Sequence, residues 1–73
     1  SKQFDIILAN INKNILISQI PTYISVLNEN GDLFLSGLME QDFNDILAFC
    51  TEHNLKFISK KQRNEWIALH FKK

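Results

Sequence analysis

Few side chains in this 73-residue chain are placed to do chemistry, and Asn10 is the best placed of them. It closes the unalternating apolar run Phe4-Asp5-Ile6-Ile7-Leu8-Ala9-Asn10-Ile11. It therefore stands just outside the carboxyl end of a strand, where ligands bind in open α/β sheets. Its side-chain oxygen can accept a hydrogen bond from a ligand N–H. The same kind of oxygen can instead cap a helix start, a role open to Asn10 and Asn12 alike. Ser36 and Gly37 end a second apolar run and could border the same crevice, although small residues there also simply let a strand turn into a helix. Cys50, the single cysteine, falls on the apolar face of a helix and reads as packing rather than as a nucleophile. His53 and His70 have no Asp or Cys at metal-ligand spacing and read as structural. Nothing has the pattern of a serine or cysteine triad.

The elements that must position Asn10 follow from periodicity. The run from Phe4 reads as a strand buried on both faces of a parallel sheet, and such a strand needs partners from crossover units or from chain upstream. Only three residues precede Phe4 here, so the expectation is the second half of a larger α/β domain. Ile15, Leu16, Gln19, Ile20, Tyr23, Ile24 and Leu27 recur at helical spacing. Pro21 falls inside that pattern and predicts a kink or a fresh helical start. Asn28 to Asp32 is a turn cluster, with Gly31 free to take a positive φ. Leu33-Phe34-Leu35-Ser36-Gly37-Leu38 is a second buried parallel strand, making a βαβ unit with a right-handed crossover.

Met39, Phe43, Ile46, Leu47 and Cys50 then share a helical face, with Glu40, Asp42 and Asp45 in the first turns, where acids suit the helix dipole. His53 and Asn54 close this helix, Asn54 as a left-handed cap. Leu55 to Lys60 reads as a partly exposed edge strand, and Lys61 to Asn64 as a turn. Trp66, Ile67, Ala68, Leu69 and Phe71 put apolar groups on both faces, which an edge strand tolerates poorly. The last strand is therefore expected to insert between its hairpin partner and the strand at Leu33, antiparallel to the latter. Trp66, on an interior strand, is expected in the core.

Composition bounds the rest. The chain is 45% apolar and 22% charged, with two glycines and one proline, as in a globular domain. At this length stability is marginal. No apolar run approaches the roughly 20 residues of a membrane span, and Ser1-Lys2-Gln3 before a strand is no signal peptide, so the expected location is cytoplasmic. One cysteine excludes an internal disulfide framework, in keeping with a reducing compartment. Net charge is zero but uneven: Lys56, Lys60, Lys61, Arg63, Lys72 and Lys73 face only Glu65 in the last third. Without interleaved exposed aromatics this reads as a solvated hairpin turn, and no direct nucleic-acid contact is expected.

Three motifs now stand in order: Phe4-Asp5-Ile6-Ile7-Leu8-Ala9-Asn10-Ile11, then Gly31-Asp32-Leu33-Phe34-Leu35-Ser36-Gly37-Leu38, then Asn64-Glu65-Trp66-Ile67-Ala68-Leu69. Together they resemble the FDxxxANI, GGxxxxSGI and EEWxAL strands of the ribosomal protein L11 methyltransferase family, PrmA, over nearly the whole chain. Gly31-Asp32 departs from that family's Pro-Gly-Gly turn. The resemblance implies the carboxyl-terminal half of a class I, Rossmann-like methyltransferase domain. Its form would be a four-stranded mixed sheet, two parallel strands plus a terminal antiparallel hairpin, with two or three helices, residues 1–73 being a single fragment of the catalytic domain.

The resemblance further implies methylation of amino groups on a ribosomal large-subunit protein, with S-adenosylmethionine as the donor. Asn10 would hold the substrate nitrogen, and Ala9, Asn10 and Ile11 would line the cofactor pocket. The family's glycine-rich cofactor turn, ribose-binding acidic residue and substrate-recognition domain are not among these residues. The 73 residues by themselves are accordingly expected to be inactive. Two other readings stay open: a small non-catalytic α/β interaction module that recruits a partner, or a second copy, along the exposed edge of its first strand, and a class I methyltransferase with a different substrate.

Overall fold

In the computed structural model, which describes residues 3–73, the order of elements is β1 (Phe4–Asn10), α1 (Lys13–Val26), β2 (Leu27–Met39), a 3-10 turn (Glu40–Asp42), α2 (Phe43–Glu52), β3 (Lys56–Arg63) and β4 (Trp66–Lys72). The four strands form one mixed sheet in the order β1-β2-β4-β3. β1 and β2 run parallel, and β4 lies antiparallel to both β2 and β3. The final strand thus inserts where its two-sided apolar pattern requires.

Leu16 and Ile20 of α1, Ile46 and Cys50 of α2, and Leu33, Leu35, Ile67, Leu69 and Phe71 of the sheet are all buried in one cluster. Each fully buried Leu or Ile is worth about 1.5–3 kcal/mol relative to exposure. Both helices therefore cover the same face. The other face carries Ile6, Leu8 and Phe34, which stay exposed, Leu8 to 76%. This corrects the expectation for β1: it is half-covered rather than buried on both faces. Among the described residues its only strand partner is β2, and no helix crosses the second face.

α1 is a single helix through Pro21, with no second start. Pro21 and Ile17 both lie on the exposed side, so the carbonyl left without an N–H partner sits toward water. Lys73 Nζ donates to Ile24 O at 2.7 Å and Leu27 O at 2.8 Å, a cation satisfying carbonyls at the negative end of α1.

The cluster expected as a turn is instead the irregular start of β2. Between the pairs Phe4↔Leu27 and Ile6↔Asp32, β1 advances two residues and β2 five. Asn30 takes the left-handed conformation at φ 63°, and Asn28 Nδ2 ties the excursion to Asp5 Oδ1 at 2.8 Å. Gly31 serves here by close packing rather than by positive φ: a Cβ would come within 2.6 Å of Leu27 Cδ1 and 2.7 Å of Asn28 O.

Met39 pairs with Trp66 at the end of β2, so α2 starts later than its apolar spacing suggests. Asn54 adopts φ 66° as its left-handed cap, and His53 Nδ1 lies 2.9 Å from Phe49 O. The hairpin turn is shorter than expected. Lys61 to Arg63 belong to β3, and only Asn64, at φ 56°, and Glu65 connect the strands. No helix among the described residues is long and apolar enough to cross a membrane.

Candidate functional site

The carboxyl ends of β1 and β2 meet where Asn10 pairs with Ser36. The ladder extends one step beyond the strand through Ile11 N–H, which donates to Ser36 O at 3.0 Å. β2 then carries one extra residue against β4: from Leu35↔Leu69 to Leu38↔Ile67 it advances three positions and β4 two. The bulge contains Gly37 at φ 79°. Bulges of this kind re-aim side chains and are common beside active sites.

The helix-cap alternative for Asn10 falls to its neighbour. Asn12 is the N-cap of α1, its side-chain oxygen accepting from Ile15 N–H at 2.9 Å. Asn10 is exposed and its side chain makes no hydrogen bond among the described residues. Ala9 and Ile11, its neighbours, are half-buried and pack against the core. The three residues singled out in the sequence thus lie together at the strand end, with Asn10 alone offering free polar atoms.

A groove of about 410 Å³ runs along the uncovered sheet face from this point, lined by Leu8, Asn10, Phe34, Ser36, Lys61 and His70 among others. A second hollow of about 260 Å³ continues past Ser36, Gly37 and Lys61 to Arg63 and Trp66. Trp66, expected in the core, is 53% exposed because it begins β4 on the uncovered face. Ser36 and Gly37 border the crevice as their place in the sequence allows.

His70 is the residue that sequence spacing did not connect to a carboxylate. Its ring stacks on Phe34 with centroids 4.2 Å apart, and Nε2 lies 2.8 Å from Asp32 Oδ1. Lys72 Nζ reaches the same oxygen at 3.0 Å. Hydrogen bonds from His70 and then Lys72 hold the Asp32 carboxyl below its usual range. Asp32 is four positions from Ser36 on β2, about 13 Å at strand rise, so its carboxyl is remote from Asn10, although His70 lines the same groove. Its signal is the cross-strand register, which places Phe34 opposite His70 and Asp32 opposite Lys72. The pairing appears only once β4 lies beside β2.

Cys50 is fully buried, and that burial pushes its thiol up to about 12, the opposite of an activated nucleophile. No group of three or more His, Cys, Asp or Glu among the described residues could hold a metal ion. The chemistry available at the strand ends is therefore hydrogen bonding and orientation by an amide. Such an amide can accept a hydrogen bond from an N–H group of a bound ligand. The chain's two glycines stand at Gly31 and Gly37, in a packed strand start and a bulge, so neither forms a glycine-rich cofactor turn.

Comparison with known proteins bears on the same residues. The family profile for "Ribosomal protein L11 methyltransferase (PrmA)" matches residues 1–73. The chain is similar to the ribosomal protein L11 methyltransferase of Porphyromonas gingivalis, at 44% identity over 69 residues, covering 93% of this chain and 23% of that protein. It is also similar to the one from Bacteroides fragilis, at 34% over 68 residues, 93% of this chain and 24% of that protein. The chain thus spans about a quarter of the length of the curated relatives it matches. Among solved structures, the ribosomal protein L11 methylase of Lactobacillus delbrueckii subsp. bulgaricus superposes with TM-score 0.91 at 32% identity, over 97% of this chain and 37% of that one. The N-methyltransferase NodS of Bradyrhizobium japonicum shares the fold at TM-score 0.71 and 13% identity, over 99% of this chain and 52% of that one.

Proposed function

The chain belongs to the ribosomal protein L11 methyltransferase family and has the Rossmann-like fold of a part of that domain; from that membership we propose that the protein containing it methylates amino groups of ribosomal protein L11 with S-adenosylmethionine as donor. The single observation that supports a role for these residues is Asn10: a free amide at the carboxyl end of a parallel strand, with its capping role taken by Asn12.

S-adenosylmethionine, when bound, supplies an electrophilic sulfonium methyl. Asn10 Oδ1 would accept a hydrogen bond from the acceptor amine and so orient its lone pair for reaction. Ala9 and Ile11 fix the backbone on either side and would line the cofactor's flank. The amine must be neutral to react. A free lysine titrates at about 10.4, and desolvation beside a positive charge lowers that value. Orientation is then the main contribution of this segment, and a misplacement of about 1 Å costs on the order of 10²-fold in rate.

The test is a methyl-transfer assay with the full-length protein and purified ribosomal protein L11. Asn10→Ala is expected to lower kcat about 10²-fold while leaving the melting temperature within the range of an exposed substitution. A rate equal to that of the unsubstituted protein would remove Asn10 from the reaction. Absence of transfer by the unsubstituted protein, with L11 and S-adenosylmethionine both present, would remove the activity itself.

A further inference from the structure

Resting on that reading of Asn10, we infer that Gly37 is a positioning residue for it: the missing side chain at Gly37 is the space in which the Asn10 carbonyl sits. A Cβ built on Gly37 would overlap Asn10 Oδ1, and it would stand 3.3 Å from Ile11 O and 3.4 Å from Ile11 N. The space left by the missing side chain is therefore shared by the Asn10 amide and the Ile11 backbone. The contact has a mechanical consequence. Asn10 is exposed and unbonded among the described residues, so no hydrogen bond holds its rotamer. Its placement then depends on the room around it, and the bare position at Gly37 is room that the carbonyl occupies.

The bulge is the device that brings Gly37 there. Its extra residue interrupts the β2–β4 ladder between Leu35 and Leu38, while the β1–β2 ladder continues through Asn10↔Ser36 and Ile11 N–H to Ser36 O. Positive φ at Gly37 turns the chain across the end of β1. Two demands thus meet at one glycine. The conformation at φ 79° disfavours any L side chain, and a Cβ would displace the Asn10 carbonyl from where it sits. Only the second demand concerns the reaction, and the two separate by experiment.

The variants are Gly37→Ala, Asn10→Ala and the pair together, made in the full-length protein. Gly37→Ala is expected to lower kcat for methyl transfer by about 10- to 100-fold, the scale of a misplaced reacting group, with the KM for L11 changed by less than about twofold. The double variant is expected to be no slower than Asn10→Ala alone, since Gly37 acts through Asn10. The Asn10 side-chain NH₂ resonances, read by NMR, are expected to move in Gly37→Ala. Multiplying losses in the double variant, or full activity of Gly37→Ala, would overturn the inference.

If Asn10→Ala keeps the full rate, the acceptor reading fails, and the NH₂ resonances in Gly37→Ala still decide whether Gly37 places that side chain. If Gly37→Ala does not fold, the double variant decides. Recovery of folding on removing the Asn10 amide assigns the clash to that side chain. Loss of folding in both assigns it to backbone φ and removes the inference.

Discussion

At the scale of single residues, some polar groups are held by partners, while Asn10 makes no side-chain hydrogen bond among the described residues. Asp32 is held, receiving His70 at 2.8 Å and Lys72 at 3.0 Å. Its pKa is lowered in the folded protein, so its stabilising contribution is present above the unfolded value near 3.9 and is lost as pH falls through the folded value. Asp32→Asn is accordingly expected to flatten the acid limb of a stability-versus-pH curve below about pH 4, read by thermal unfolding. An unchanged acid limb would show that the carboxyl is not held. Cys50 is the opposite case, a group silenced by burial. With its thiol raised to about 12, labelling by a thiol reagent at neutral pH is expected only on unfolding. Labelling at the rate of a free thiol in native buffer would contradict its placement in the core.

At the scale of elements, the helices show how a local rule is obeyed at one end and broken in the middle. Asn12 satisfies an orphan N–H at the start of α1, and Asn12→Ala is expected to destabilise by about 1 kcal/mol. Pro21 removes a hydrogen bond within the same helix, at about 3 kcal/mol in a helix interior, partly offset by the stiffer unfolded chain. Pro21→Ala is therefore expected to stabilise by about 1–2 kcal/mol, measured by urea unfolding with an unchanged slope. The helix continues because Leu16 and Ile20, fully buried before it, and Lys73, bonded to the carbonyls after it, anchor both sides. At the other end of the chain, Lys60 bridges Glu40 at 3.1 Å and lies over the Phe43 ring at 4.4 Å. Part of the basic run thus fastens β3 to the start of α2 rather than standing free in a turn.

At the scale of the whole molecule, both helices lie on one side of a four-stranded sheet. The uncovered side exposes Leu8 to 76%, Ile6 to 57% and Phe34 to 38%, and β1 has β2 as its only strand partner among the described residues. An apolar face beside an unpaired strand edge is a template for association. The 73-residue chain in isolation is expected to show a mass that rises with concentration in sedimentation equilibrium. Leu8→Lys should weaken that association while changing stability by no more than about 0.5 kcal/mol. A monomer at all concentrations would show that this face is tolerated in water. The curated relatives are about four times as long as the matched region, so the test in the full-length protein asks whether the face is already covered there.

Much of this architecture was legible before any coordinates. Unalternating apolar runs at Phe4 and Leu33, separated by helical spacing, specify a parallel βαβ unit. The two-sided apolar pattern from Trp66 to Phe71 requires an interior position for the last strand. The three strand motifs carry the family, and Asn10 is marked by standing at a strand's carboxyl end. Other features belong to the tertiary structure because they depend on which residues become neighbours. Apolar runs carry no record of which face a helix will cover, so the exposure of Leu8 and Trp66 was hidden. The turn-like residues Asn28 to Asp32 enter the sheet because Asp5 and Lys72 bind the excursion from two other strands. His70 meets Asp32 across 38 positions of sequence only when β4 lies beside β2. The role of Gly37 is visible only with Asn10 in view, since a glycine's local freedom says nothing about whose side chain occupies the space it leaves.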